Sequence, residues 1–248
     1  MSINDLEPQL DINRAYWAGY DGSSPHTDLP IYRTGLPHRL LNGVLRVRGW
    51  PIEKAVAEAR KRLDGTRWAW WVGADSDPDT ANALLDAGAQ ELDPLPVMAV
   101  DLQTFAEFPP PAELTIRRVT TRAELRGYVE TAAEPLGVPA DVVEELLECE
   151  IAYAPSEGRL VRLAGMVGDR TVGTAAVLLG GKAAAIYWVA TDAAYRQRGT
   201  ATALTTETLR LARKAGASIA TLQASSMGQP VYRRIGFATV AQYRRFAS

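Results

Sequence analysis

Apolar and polar positions change period along the chain, and the changes mark out its elements. Between 114 and 120, LTIRRVT alternates as a strand with one covered face. TRAELRGYVETAAEPLG (121–137) and PADVVEELLECEIAY (139–153) repeat their apolar residues at helical spacing. RLVRLAGMV (159–167), TVGTAAVLLG (171–180) and KAAAIYWVAT (182–191) read as three successive strands separated by turn residues. After the polar stretch YRQRG the pattern predicts a helix with Ala201, Leu204, Leu211 and Ala215 on one stripe, ending at Gly216. ASIATLQAS (217–225) is a further strand, GQPVYRRIG (228–236) a short helix stopped by Gly236, and FATVAQYRRF (237–246) a last strand.

Earlier residues are patterned less sharply but repeat this order. NGVLRV (42–47) reads as a strand, PIEKAVAEARKRLDG (51–65) as a helix, WAWWVG (68–73) as a strand, and a polar loop, a short helix and PVMAVDL (96–102) follow. Either the early part is a weak duplication of the later one, or it is an unrelated α+β cap. Pro109, Pro110 and Pro111 fit neither a helix interior nor a central strand and form a stiff spacer. The expected division is therefore an N-terminal unit, 1–107, a proline-rich linker, 108–112, and a C-terminal unit, 113–248.

Composition narrows the class without naming a chemistry. A chain of 248 residues, 47% hydrophobic and 23% charged, is long enough to bury a core and ordinary for a globular protein. The opening MSINDLEPQLDINR carries acids where a signal peptide carries basic residues, and no stretch approaches the roughly 18 apolar residues of a membrane span. A cytoplasmic protein without membrane contact is expected. One cysteine, Cys149, excludes an internal disulfide, and its neighbours in EELLECE make it an idle thiol rather than a nucleophile. His26 and His38 are the only histidines, so no metal site is expected.

Charge is distributed unevenly. Residues 1–112 hold 10 Lys and Arg against 16 Asp and Glu, whereas residues 113–248 hold 17 against 13. From Arg196 onward there are 9 basic residues and a single acid, Glu207. Arg210, Arg213 and Lys214 are accounted for by the C-terminal end of their helix. Arg196 and Arg198 sit instead at a helix start, beside Gly199, where free amide N–H groups and the helix dipole favour an anion. The N-terminal unit joins strand to helix through RVRGWPIEK, where Pro51 removes a donor from the corresponding turn, so this anion site is not expected twice.

Placed on a strand-to-helix junction, VATDAAYRQRGTATAL resembles the acyl-CoA-binding signature of the GNAT superfamily of N-acyltransferases, with Arg196, Gly199 and Ala201 at its matching positions. The run from Tyr232 through Gly236 to Phe237 matches the Tyr-x-x-x-Gly-Phe ending of the family's fourth helix, one strand and one loop later. The resemblance covers the whole C-terminal unit. It implies the α/β (α+β) GNAT fold, a mixed, mostly antiparallel central sheet flanked by helices, and tandem members of the family imply two GNAT-like domains with the first degenerate.

The resemblance assigns roles. Backbone amides of Gln197, Arg198, Gly199, Thr200, Ala201 and Thr202 are expected to hold the coenzyme A pyrophosphate, with Arg196 or Arg198 adding a charge-assisted bond. The strand ending in Val189, Ala190 and Thr191 is expected to pair with the pantetheine amides and to splay from the strand at 222–225. A backbone N–H near Val189 then polarises the thioester carbonyl. Tyr232 matches the family's general acid, against the alternative of an aromatic that only packs. Ser225 stands where many relatives carry a coenzyme-bonding asparagine, and it bonds through water or not at all. Ala220 and Leu222 replace positions where some relatives carry a glutamate base. The base is left open among a water chain, Glu148, Glu150 and a substrate amine already partly neutral.

At least one of Tyr187 and Trp188 is expected to face the acceptor, unless both only pack. The N-terminal unit holds five of the six tryptophans, either as structure or as a wall over a cationic amine. The expected activity is acetyl transfer from acetyl-CoA to a primary amine, likelier a small molecule than a protein N-terminus, in a ternary complex without a metal. The alternative is a non-catalytic acyl-CoA-responsive module. Nucleic-acid binding is set aside because the basic segment lacks interleaved aromatics, and the oligomeric state is left open.

Overall fold

Ten strands form one sheet in the computed structural model, which describes residues 1–247. The N-terminal part runs α1 (Leu6–Ala18), β1 (Ile31–Arg33), β2 (Asn42–Val44), α2 (Ile52–Arg62), β3 (Ala69–Val72), α3 (Thr80–Asp86) and β4 (Gln90–Asp101). The C-terminal part runs β5 (Thr115–Arg118), α4 (Arg122–Ala133), α5 (Val143–Ala152), β6 (Arg159–Val167), β7 (Arg170–Gly180), β8 (Ala183–Thr191), α6 (Thr200–Lys214), β9 (Ile219–Gln223), α7 (Gln229–Ile235) and β10 (Ala238–Ala247). Local chemistry sets several of these limits. Thr121 and Glu124 close a capping box at the start of α4, and Gly236, at φ 114°, ends α7.

The strand order is β1-β2-β3-β10-β4-β9-β8-β7-β6-β5. All neighbours are antiparallel except β2 with β3 and β8 with β9, which makes the sheet mixed and mostly antiparallel, as the motifs implied. The two parts exchange strands. β4 lies between β9 and β10, while β10 lies between β4 and β3. Phe246, fully buried, accordingly packs with Ile31, Ala55, Trp70 and Leu84 of the N-terminal part.

Helices cover both faces. α1, α4 and α5 pack on one face around Tyr16, Tyr128, Leu146 and Leu178. α6 and α7 pack on the other around Leu204, Leu209, Val177 and Leu222. Two expectations need correcting, and one helix was not expected. β4 begins six residues before PVMAVDL, because the register shift at Tyr243/Arg245 accommodates Pro94 without a ladder bond. The buried stripe of α6 runs through Ala203, Leu204, Leu209 and Ala212 with five threonines, 200, 202, 205, 206 and 208, while Ala215 is exposed. α1 carries no sharp apolar period, and its buried positions include Gln9, Asn13 and Arg14.

Arg210 and Arg213 also do more than serve a helix end, because both bind Glu107, at 2.8 and 2.7 Å, and tie α6 to the residue before the linker. Truncating Phe246 to alanine is expected to lower stability by about 3–5 kcal/mol. Urea unfolding followed by tryptophan fluorescence and by circular dichroism should show one shared transition, since β10 belongs to the core of both parts.

Candidate active site

β8 and β9 lie parallel only as far as the Ile186–Leu222 pair. Beyond it β8 stays with β7, through Thr174–Ala190 and Gly173–Thr191, while β9 stays with β4, through Val97–Gln223 and the Ala224 N–H on Pro96 O at 3.0 Å. A slot opens between them, and the β8 edge over 187–191 has no strand partner on that side. An open strand edge offers main-chain donors and acceptors to an extended ligand. Two buried polar atoms lacking partners, Thr191 Oγ1 and Gln223 Nε2, belong to the two strands that part.

Within β8 the register with β7 passes from Ala176–Tyr187 to Thr174–Ala190, so Trp188 and Val189 oppose Ala175 alone. This is a bulge, and it places Trp188 at φ 54°. A bulky residue there costs about 1–3 kcal/mol and persists only where its surroundings fix it. Tyr187 and Trp188 both join the core on the α1, α4 and α5 face, and Val189 packs toward α6 and α7.

The turn after β8 presents a run of backbone N–H groups. Asp192 caps a tight helical turn over Ala193–Tyr195, Gln197 takes φ 61°, and Gly199 takes φ 85° as the N-cap of α6. The first hydrogen bond of α6 runs from Ala203 N to Gly199 O at 2.9 Å. Among the described residues, no acceptor takes the backbone N–H of Gln197 through Thr202. Gly173 seats this helix start on the sheet, because a Cβ there would meet Thr200 Cγ2 at 2.5 Å and Leu204 Cδ1 at 2.9 Å. Arg196, Gln197 and Arg198 are exposed. Arg196 Nε donates to Thr191 O at 3.3 Å, while the Arg198 and Arg170 guanidiniums lie 5.3 and 5.7 Å from the Tyr195 ring. A cavity of about 610 Å³ borders the Arg170–Asp192 ion pair on the α4 side, outside the slot, and its lining mixes both charges.

Tyr232 is buried on α7 against Phe237, ring centroids 5.8 Å apart. Burial pushes its phenol well above the usual value, and its hydroxyl makes no hydrogen bond to a described residue. Ser225 is exposed, with its Oγ accepting from Gly228 N at 3.2 Å, so it serves the turn into α7. Glu148 is exposed and paired with Arg122. Glu150 is 2% exposed and paired with Arg162 at 2.7 Å. The Cys149 thiol is raised by burial and by the neighbouring carboxylates.

The corresponding place in the N-terminal part is closed. β2 and β3 are parallel over Gly43–Ala69 and Val44–Trp70 and then part, as β8 and β9 do. Here the gap is bridged: Val47 N donates to Ser76 Oγ, Asp77 N to Val47 O, and Gly49 N to Asp77 Oδ2 at 2.6 Å. Asp75, whose side chain is buried, holds Arg14 and lies 4.0 Å from Arg46. Pro51 caps α2. The N–H groups of Val47, Arg48 and Gly49 are thus all taken, and Pro51 interrupts the amides that follow.

Comparisons with known proteins converge on one fold. Residues 170–240 match the family model described as an acetyltransferase (GNAT) domain. The structure is similar to a GCN5-related N-acetyltransferase from Kribbella flavida, with a TM-score of 0.72, 18% identity and coverage of 96% of this chain and 95% of that one. A GCN5-related N-acetyltransferase from Sphaerobacter thermophilus gives 0.61, 18%, 100% and 93%. A tandem GNAT protein from the clavulanic acid biosynthesis pathway gives 0.58, 13%, 79% and 69%. No curated protein sequence matches the chain significantly. Among the described residues no helix is long and apolar enough to cross a membrane.

Gly173→Ala forces a side chain into the seat of α6 and should lower stability by about 1–3 kcal/mol in urea denaturation. A neutral result would mean that the helix start is not held against β7 as described.

Proposed function

We propose that this protein transfers an acyl group, acetyl in the simplest case, from acyl-CoA to a primary amine, a reading supported by the match of residues 170–240 to a GNAT acetyltransferase domain and by the fold the chain shares with such enzymes. One observation carries the reading: the unpartnered N–H run of Gln197 through Thr202 lies at the mouth of the slot where β8 and β9 part. Coenzyme A has a pyrophosphate for the first and an extended, amide-bearing pantetheine for the second. Amides fixed in advance cost little ordering on binding. Arg196, half free of its contact with Thr191, is the better placed arginine to add a phosphate bond, since Arg198 already lies over Tyr195.

In this reading the thioester lies along the open edge at Val189, Ala190 and Thr191, with a bulge N–H on its carbonyl oxygen. The amine attacks the carbonyl carbon directly, the C–N bond forms, and coenzyme A leaves as a thiolate. Tyr232 serves that thiolate as a hydrogen-bond donor. Its raised pKa keeps the phenol neutral and weakens it as an outright proton donor, so the hydrogen bond is its larger contribution. Neither Glu148 nor Glu150 is a free carboxylate, which leaves deprotonation of the amine to water or to the amine's own equilibrium. Ser225 Oγ accepts from Gly228 N in the turn into α7, which leaves its O–H free to donate to the coenzyme.

We also read residues 1–107 as a second GNAT-like domain that has lost its site, 108–112 as the joint, and 113–248 as the catalytic domain. The parallel pair that parts, the helix after it and the traded last strands support this reading. The acceptor is a small-molecule amine, and the protein works in the cytoplasm.

Calorimetry with acetyl-CoA and a mass-spectrometric screen with phenethylamine, spermidine, glucosamine and glycinamide test the proposal. Saturable binding and one acetylated product are expected. Binding without any acetylated amine would favour an acyl-CoA-responsive module instead. Tyr232→Phe should lower kcat about 10- to 100-fold with little change in acetyl-CoA affinity. The wild-type rate should show no alkaline decline below about pH 10, because an acid raised above its usual value keeps its proton there. Full turnover by the phenylalanine variant would remove Tyr232 from the chemistry.

A further inference from the structure

The bulge at Trp188 is held from the N-terminal part of the chain. Its carbonyl accepts from Thr174 Oγ1 at 2.7 Å, which fixes the backbone from the sheet side. Its indole Nε1 donates to Tyr16 OH at 2.5 Å, with Tyr20 OH at 3.2 Å. Tyr16, fully buried on α1, stacks on Tyr187 with centroids 3.4 Å apart and planes 8° from parallel. Tyr20, two residues beyond α1, lies 3.2 Å from Tyr16 OH and donates to Glu150 Oε1 at 2.5 Å. Glu150 Oε2 accepts from Arg162 Nε at 2.8 Å, and Arg162 Nη2 donates to Glu150 O at 2.9 Å.

The chain of bonds has one direction. An indole nitrogen can only donate and a carboxylate only accept, so each tyrosine hydroxyl accepts on its Trp188 side and donates toward Glu150. Such a chain places the far end of a side chain whose own backbone is strained. Removing a link frees Trp188 to relax toward ordinary strand geometry, and the bulge would relax with it.

We propose that Tyr16 and Tyr20, anchored on the Glu150–Arg162 pair, are positioning residues for acyl transfer: they hold Trp188 in its left-handed bulge and so aim the backbone N–H of the bulge at the thioester oxygen. The inference rests on the acyl-transfer reading. It gives the N-terminal part a role in the reaction besides covering the sheet. Because the bulge N–H acts on charge that develops in the transition state, losing its aim lowers kcat more than it weakens acetyl-CoA binding.

The test compares Tyr16→Phe, Trp188→Phe and the double variant, with Tyr20→Phe as a second break in the chain at a half-buried site. Tyr16→Phe keeps the ring that stacks on Tyr187. Acetyl-CoA affinity is measured by calorimetry, kcat by thiol release with whichever of phenethylamine, spermidine, glucosamine and glycinamide the wild type acetylates fastest, and the indole N–H by nitrogen-15 correlation spectra. Each single variant should lose roughly tenfold in kcat while acetyl-CoA affinity changes less than about threefold. The double variant should be no slower than the slower single. The indole signal absent from Trp188→Phe should shift in Tyr16→Phe. Wild-type kcat in Tyr16→Phe, losses that multiply in the double variant, or an unshifted indole signal would overturn the inference while leaving acyl transfer intact. A wild type that acetylates none of the amines overturns the acyl-transfer reading first, and this inference falls with it.

Discussion

The parting of β8 from β9 after Ile186 and Leu222 is the constraint on which the site depends. A parallel pair that continued would satisfy its own backbone groups and leave nothing for a ligand. Each strand leaves because another partner claims it: β7 holds β8 through Thr191, and β4 holds β9 through Gln223. The second of these partners comes from the N-terminal part. An exchanged strand therefore helps to open the slot in the C-terminal one, and the two parts are joined by ladder hydrogen bonds as well as by the proline linker.

The same geometry has opposite outcomes in the two halves of the sheet. After β8, glycine at 199 and a left-handed Gln197 turn a run of amides outward, and the helix start is left without internal acceptors. After β2, Ser76 Oγ, Asp28 O and Asp77 Oδ2 take up the N–H groups of Val47, Arg48 and Gly49, and Pro51 contributes none. A free amide is costly when buried and useful when solvent or a phosphate can reach it. The exposed Arg196 to Arg198 turn meets that condition. Strain at Trp188 is the other local cost, and in the proposed reading the tyrosine hydroxyls bonded to its indole and Thr174 on its carbonyl hold that conformation in place.

Much of the C-terminal architecture could be read from pattern, because its strands are separated by turn residues and its two motifs fall on helix ends with glycine. RLVRLAGMV coincides with β6, and the strand before YRQRG ends at Thr191, as expected. Strand partners were not legible. Nothing local in FATVAQYRRF says that Phe246 fills a core built by residues 31–84, since pairing is decided by which edges are open after the rest has folded. α1 was missed for a related reason: its buried face carries Asn13 and Arg14, whose partners Tyr243 and Asp75 are distant in sequence, and Gln9, which donates to Ile3 O and Asp5 O. The slot, the amide run and the tyrosine were visible as motif positions. The hydroxyl chain from Trp188 to Glu150 was not, because it joins residues separated by up to 172 positions. A cluster of Tyr16, Trp17 and Tyr20 at helical spacing was its one trace.

Backbone amide mapping during titration with coenzyme A tests the central claim most directly. The account predicts saturable shifts in the N–H signals of Gln197 through Thr202 and of Val189 through Thr191, with the signals of residues 46–51 unmoved. Shifts centred on residues 46–51, or none in the turn before α6, would contradict it.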